Sequence, residues 1–136
     1  MKIINGHNAI LGRLASLTAK TLLKGEEVAI VNAEKIIITG DPNSIKSEYI
    51  ERRRIGSPQH GPFFPKQPHM IVRRTIRGML PYKTSKGRAA MKKLRVYVGI
   101  PDNLKNEELT QMALKDVRSS FIRLGDVAKT IGWKNK

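Results

Sequence analysis

The chain has no acidic residue between Glu51 and Asp102. Across the fifty residues Arg52 to Pro101 it carries thirteen Lys and Arg, where its overall acid frequency would place about four Asp or Glu. From Lys46 to Arg95, fourteen basic residues stand against Glu48 and Glu51, so this stretch holds +12 of the +15 net charge. A basic but inert surface mixes both signs for solubility, whereas a contiguous acid-free block is the electrostatic footprint of a polyanion site. Cysteine is absent as well, which excludes disulfides, thiolate zinc sites and thiol catalysis and fits a reducing compartment. The longest apolar run, Val28-Ala29-Ile30-Val31, falls far short of the roughly 20 residues of a membrane span. Met1-Lys2 leads straight into Ile3-Ile4 and polar Asn5-Gly6-His7-Asn8, so no signal segment is expected. A soluble, cytoplasmic protein with no membrane partner is the resulting expectation. Aromatics make up only 5%, which argues against the serial base stacking of single-strand binders.

What is present suffices for a single domain over 1–136: at 40% hydrophobic residues the chain can bury a core without staples. Residues 1 to 45 read as an alternating α/β unit. Asn8 is placed to cap a helix reaching about Lys24, with Gly25 just past its end. On that helix Leu11, Leu14, Ala15, Thr18, Ala19 and Leu22 share one face, opposite Arg13, Lys20 and Lys24, the pattern of a helix laid on a sheet. Val28 to Val31 and Ile36 to Ile38 are short β-branched runs of the kind covered on both faces. The link between them is too short for a parallel crossover. Gly40-Asp41-Pro42 then opens a helix with a capping Asp and an N1 proline, carrying Ile45 and Tyr49 on one face and ending in Arg52-Arg53-Arg54.

Composition changes at Gly56. Four of the seven prolines (Pro58, Pro62, Pro65, Pro68) fall within eleven residues, with Phe63-Phe64 among them, so an ordered, extended basic arm is expected at about 52–68. The Phe pair either serves that arm or packs back on the core. Residues 69 to 80 return to helix, with Val72, Ile76, Met79 and Leu80 on the packing face and Arg73, Arg74 and Arg77 beside them. Arg73 and Arg77 stand at i,i+4, where like charges cost an isolated helix roughly 0.2–0.5 kcal/mol, a cost that phosphate would turn into attraction. Ser85 is placed to cap a short helix from Lys86 to Leu94 that carries Lys86, Arg88, Lys92 and Lys93, and Arg95 to Gly99 alternates like a strand. Asn106 with Glu107 and Glu108 predicts a helix through about Val117. Phe121-Ile122 reads as a strand, Gly125 to Gly132 as a final helical turn or two, and Trp133 as a plug of the core.

Catalytic chemistry is missing. His7, His60 and His69 have no partner at metal-ligand spacing, so no metal is expected and these histidines read as solvated or phosphate-contacting. Paired carboxylates are not evident. Gly6 to Gly12-Arg13 has the spacing of a strand-to-helix phosphate turn but lacks its Lys-Ser/Thr pair, so loop and close-packing glycines are expected. No catalytic residue, cofactor or small-molecule substrate follows.

Two long motifs carry a family likeness. Leu11-Gly-Arg-Leu-Ala-Ser16, continuing through Ala19-Lys20 and Leu22-Leu23 to Val31-Asn-Ala-Glu34 and Ile38-Thr-Gly40, resembles the opening half of the ribosomal protein L-thirteen family. Arg77-Gly-Met-Leu-Pro81, followed by Lys86-Gly-Arg88 and Leu94 to Gly99, resembles that family's central signature. Arg52-Arg-Arg54, Ser57-Pro58, His60-Gly-Pro62, Lys83-Thr84 and Gly99-Ile-Pro101 are similar to its archaeal and eukaryotic branch, while the tail 102–136 is less characteristic. The resemblance implies a three-layer α/β/α fold around a small, mostly parallel sheet. It also implies a structural component of the large ribosomal subunit, not an enzyme, that binds large-subunit rRNA early in assembly beside neighbouring ribosomal proteins.

Charge and resemblance together nominate Arg52, Arg53, Arg54, His60, Lys66, Arg73, Arg74, Arg77, Lys83, Lys86, Arg88, Lys92 and Lys93 as the rRNA-binding residues. Phosphate contacts would supply affinity and RNA shape the selectivity. Two other classes share a basic face. An RNA-modifying or nucleotide-binding enzyme needs an activated group or a cofactor loop, and a DNA-architectural protein needs a reading helix and usually a symmetric dimer.

Overall fold

The computed structural model describes residues 2–56, 59–61, 64–105, 110–111 and 120–134. In chain order these form β1 (Lys2–Asn5), α1 (Leu11–Leu23), β2 (Val28–Val31), β3 (Ile37–Thr39), α2 (Pro42–Arg54), α3 (Pro68–Met79), α4 (Ser85–Lys92), β4 (Leu94–Val96), β5 (Thr110–Gln111), β6 (Phe121–Arg123) and α5 (Leu124–Thr130). Short 3-10 turns at Ala33–Lys35 and Asp102–Leu104 complete them.

Parallel pairing demands a crossover, and α1 supplies the first. β1 and β2 run side by side with Lys2 opposite Val28 and Ile4 opposite Ile30. All four residues of β2 are buried, the double cover its β-branched run predicts. α1 buries Leu11, Leu14, Ala15, Thr18, Ala19 and Leu22 as its spacing requires. Its end also follows the sequence: Gly25 takes φ +94°, a conformation that costs glycine no Cβ clash. Its start does not. The N-cap is Ile10, with no side-chain cap. Asn8 instead adopts φ +59°, which asparagine tolerates, and its Oδ1 accepts a 2.8 Å hydrogen bond from Arg123 Nη1.

Because its link to β2 is too short to cross over, β3 leaves the parallel sheet. It pairs antiparallel with β6, with Ile38 opposite Ile122. Ile36 and Ile37 are buried, but Ile38 is half-buried and Thr39 exposed, so the double cover expected of this run ends at Ile37. α2 begins at Asp41 and Pro42 as expected, although the Asp41 carboxylate accepts from the Ser44 hydroxyl at 3.0 Å rather than from a backbone N–H.

The main sheet has the order β4-β2-β1-β5, and all of its pairings are parallel. β5 corrects one expectation. Thr110 and Gln111 pair with Ile4 and Asn5, so the helix read from Asn106 to Val117 is not continuous. The open edge of β1 offers unpaired backbone groups, and satisfying them overrides a local helix-start signal. The rest of that segment lies outside the described residues.

Alternation along the strands divides the core. Ile4, Val28, Ile30 and Leu94 meet the apolar faces of α1 and α3, and this cluster continues through Ile36, Ile45, Ile122 and Leu124. Each fully buried Ile or Leu contributes roughly 1.5–3 kcal/mol. Trp133 packs half-buried against this cluster, in the role the sequence suggests. On the other face Ile3, Ala29 and Val31 meet Leu104 and Tyr97. The small, mostly parallel α/β fold is borne out. No helix among the described residues is long and apolar enough to cross a membrane. The basic block occupies most of the connection from β2 to β4, so the platform sheet clamps both of its ends.

Candidate nucleic-acid interface

α3 carries the densest charge. Gln67 and Pro68 open it, and Pro68, Ile71, Val72 and Ile76 are buried. Leu80 is also buried, but Met79 is 45% exposed, which corrects its assignment to the packing face. The helix ends at Met79, and Ile71 fills the share of the face assigned to it. The three arginines point outward on different terms. Arg73 is half-buried and its Nη1 donates to the Leu94 carbonyl at 3.1 Å, tying α3 to β4. Arg74 lies 5.0 Å from the centroid of the Phe64 ring, and Arg77 lies 5.0 Å from that of Tyr82.

Phe64 organises the neighbouring part of the surface. It packs back on the core, edge-on to Tyr49 with centroids 5.7 Å apart; Phe63 lies outside the described residues. Arg53 donates to the Phe64 carbonyl. Arg52 sits 5.0 Å over Tyr49 and 5.9 Å from Phe64 while pairing with Glu48. The end of α2 and the middle of α3 thus converge on one ring, with each cation–π contact worth roughly 0.5–1 kcal/mol at an exposed site. Arg52, Arg53 and Arg54 form the last turn of α2, so the non-helical arm starts at Ile55. Sequence reasoning left Phe64 undecided and did not single out Tyr82. The available signal was an aromatic ring next to arginines in a chain with only three Phe and three Tyr.

α4 is fixed by a close approach. Thr84, one residue before the Ser85 expected to cap, accepts from the Gly87 N–H at 3.2 Å and donates its hydroxyl to the Pro81 carbonyl at 2.7 Å. A Cβ on Gly87 would lie 1.9 Å from the Pro81 oxygen, so only glycine fits between Lys86 and Arg88. Those two cations and Lys92 are exposed, as are Arg54, His60, Lys66 and Lys83. Lys93 is half-buried and donates to the Gly25 carbonyl at 3.1 Å. The structure therefore gathers Arg52, Arg53, Arg73, Arg74 and Arg77 around Phe64 and its neighbours; the other nominated residues are assigned by exposure and charge.

Electrostatically, Arg52 is bridged to Glu48 at the end of α2. Arg53, Arg73 and Lys93 bond to carbonyl oxygens, which orient a cation without cancelling its charge. His69 departs from the solvated reading given to the histidines. It is half-buried at the start of α3, its Nδ1 is buried with no hydrogen-bond partner, and burial lowers its pKa below the ordinary value. His7 and His60 are exposed. Burial raises the Tyr49 pKa, with the Arg52 charge opposing it.

Other motif residues do internal work. Asn32 is buried at φ +57°, and its Nδ2 donates to Asn5 Oδ1 at 2.9 Å. Glu34 Oε2 accepts from the Gly99 N–H at 2.9 Å. Gly6 is a close-packing glycine as expected, since a Cβ there would meet Ile36 Cγ1 at 2.7 Å, whereas Gly12 has nothing within 4 Å.

Comparison with known proteins converges on one family. The model of the family described as Ribosomal protein L13 matches residues 1–103. A protein of Methanosarcina barkeri named large ribosomal subunit protein uL13 is 50% identical over 98% of this chain and 99% of its own length. The protein of the same name from Methanocaldococcus jannaschii is 46% identical over 98% and 99%, and that of Methanopyrus kandleri 42% over 97% and 87%. The tail beyond Pro101, less characteristic in sequence, is thus included in the match to archaeal relatives. The chain belongs to the ribosomal protein L13 family, a family of ribosomal structural proteins and not of enzymes.

Proposed function

We propose that this chain is a structural constituent of the large ribosomal subunit, working on the ribosome in the cytoplasm, and that it binds large-subunit rRNA and supports early subunit assembly among neighbouring ribosomal proteins. The observation that carries this reading is the surface built around Phe64 and α3, where Arg53 and Arg73 are oriented by carbonyl oxygens and Arg77 by the Tyr82 ring rather than neutralised by acids. Phosphates of a folded RNA supply the missing charge, and the α/β platform holds the helix face, the turn before α4 and the arm in fixed relation to them. Affinity then comes mainly from phosphate contacts and selectivity from RNA shape.

Filter binding of the full chain to large-subunit rRNA at several salt concentrations tests this. If about eight cations reach phosphates, the slope of log K against log salt is about −6 to −7. Affinity then falls roughly a thousandfold or more between 50 and 200 mM salt. A slope shallower than about −2, or equal affinity for duplex DNA at 150 mM salt, rejects the proposal.

A further inference from the structure

Between the arm and helices α3 and α4 a surface cavity of about 390 Å³ opens, lined by Phe64, Pro65, Met70 and Met91 and by Arg73, Arg74 and Arg77. Its size falls in the range of sites that take small organic groups, roughly 300–1,000 Å³. Met70 is 39% exposed on its rim, an unbranched thioether turned to solvent where a lysine would be the ordinary choice for this surface. Apolar lining and three guanidinium groups in one cavity make an unusual combination, and the combination restricts what fits.

We infer that this cavity receives one extruded nucleobase of the RNA, stacked on the Arg74 guanidinium against the methionines, with its flanking phosphates on Arg73 and Arg77. This rests on the rRNA-binding reading and assigns it a single-base site. An apolar side chain from a neighbouring protein would cover Arg73 and Arg77 without neutralising them, a costly burial. A nucleotide brings a flat apolar face and its own negative charge on the same residue. The receiving groups are already positioned. Arg74 is held over the Phe64 ring, and RNA bases splayed from loops and bulges stack on aromatic rings and on guanidinium planes. Arg73 is fixed by the Leu94 carbonyl through one Nη1 contact, and the remaining N–H groups of its fork are suited to phosphate oxygens. Methionine sulfurs make favourable contacts with ring edges.

The test compares the full-length wild type with Met70→Asn, Met70→Leu and Met91→Ala on large-subunit rRNA, reading affinity, salt slope and base-specific chemical protection. In the wild-type complex at least one unpaired base becomes protected. Met70→Asn loses that protection and about tenfold in affinity, Met91→Ala does so from the opposite wall, and Met70→Leu retains both. The salt slope stays at the wild-type value in all three, because no cation is changed. Wild-type affinity and an unchanged protection pattern in both Met70→Asn and Met91→Ala overturn the inference. So does a result in which these variants bind RNA normally but fail to retain a neighbouring ribosomal protein in reconstituted subunits. Failure of the wild type to bind rRNA in a salt-dependent way is a different outcome and would count against the proposed function itself.

Discussion

At the carboxyl ends of β1, β2 and β4, polar side chains pair with one another inside the molecule; on α3 and the end of α2, Arg53 and Arg73 are instead oriented at the surface by carbonyl oxygens. Asn5, Asn32 and Glu34 close the strand ends through bonds to one another and to Gly99. Each of those groups finds a partner of matching chemistry, and the region is complete without a ligand. The arginine face follows another rule. Arg53 and Arg73 are as firmly placed as Asn32, but by carbonyl oxygens, so orientation is achieved and the full positive charge is kept. A carboxylate in the same position would fix the side chain equally well and cancel the field that attracts a polyanion. Rigidity and residual charge are thus separable, and this surface has both.

The strongest way to break the contrast is to disturb the packing that joins the two regions. Gly87→Ala places a methyl group 1.9 Å from the Pro81 oxygen, against the Pro81–Tyr82 peptide backbone with no flexible side chain to yield. A loss of about 3 kcal/mol or more in urea unfolding is expected. Gly12→Ala is the matched control: its Cβ meets nothing within 4 Å, and on an exposed helical site it should stabilise by about 0.5–1 kcal/mol. Equal effects at the two glycines would show that the α4 approach does not depend on its glycine.

Arg73 and Arg77 sharpen the comparison further because charge counting treats them alike and the structure does not. Arg77→Glu should weaken rRNA binding by well over tenfold, roughly the reversal of one or two phosphate contacts, and leave the melting temperature nearly unchanged. The Tyr82 contact it loses is worth roughly 0.5–1 kcal/mol. Arg73→Glu should lose binding and also about 1–2 kcal/mol of stability, because a carboxylate cannot donate to the Leu94 carbonyl. Thermal melts beside filter binding separate the two. Indistinguishable melting of both variants would mean that the Arg73 bond holds nothing.

Much of this architecture was legible from periodicity alone. The faces of α1 and α3, the double cover of β2, the Asp41-Pro42 start of α2 and the exclusion of β3 from the parallel sheet all follow from spacing, steric rules and link length. Two of the misses share a cause, since each was settled by a partner distant in sequence. Asn8 looks like a cap until Arg123 reaches it across 115 residues. Thr110-Gln111 looks helical until the edge of β1 takes it as a strand. For the candidate interface, charge located the block but did not rank its members, because whether an arginine faces phosphate or a carbonyl depends on tertiary neighbours. Phe64 was left undecided for the same reason: local composition does not tell a ring that braces arginines from one that reaches outward.

His69 offers the smallest effect and the finest test of where the boundary between the two regions lies. By sequence it belongs to the basic block, yet burial depresses its pKa and leaves its Nδ1 enclosed, as suits a residue of the platform. As pH falls, the unfolded chain takes up this proton first, at about pH 6.5, while the folded state resists. The stability contributed by the neutral ring is therefore full above that pH and is lost as pH drops through the lower folded value. Melting temperatures of the wild type should decline more steeply between pH 7 and pH 5 than those of His69→Gln, whose side chain does not titrate. Parallel curves for the two proteins would place His69 in solvent, with the interface, and move the boundary one turn further into α3.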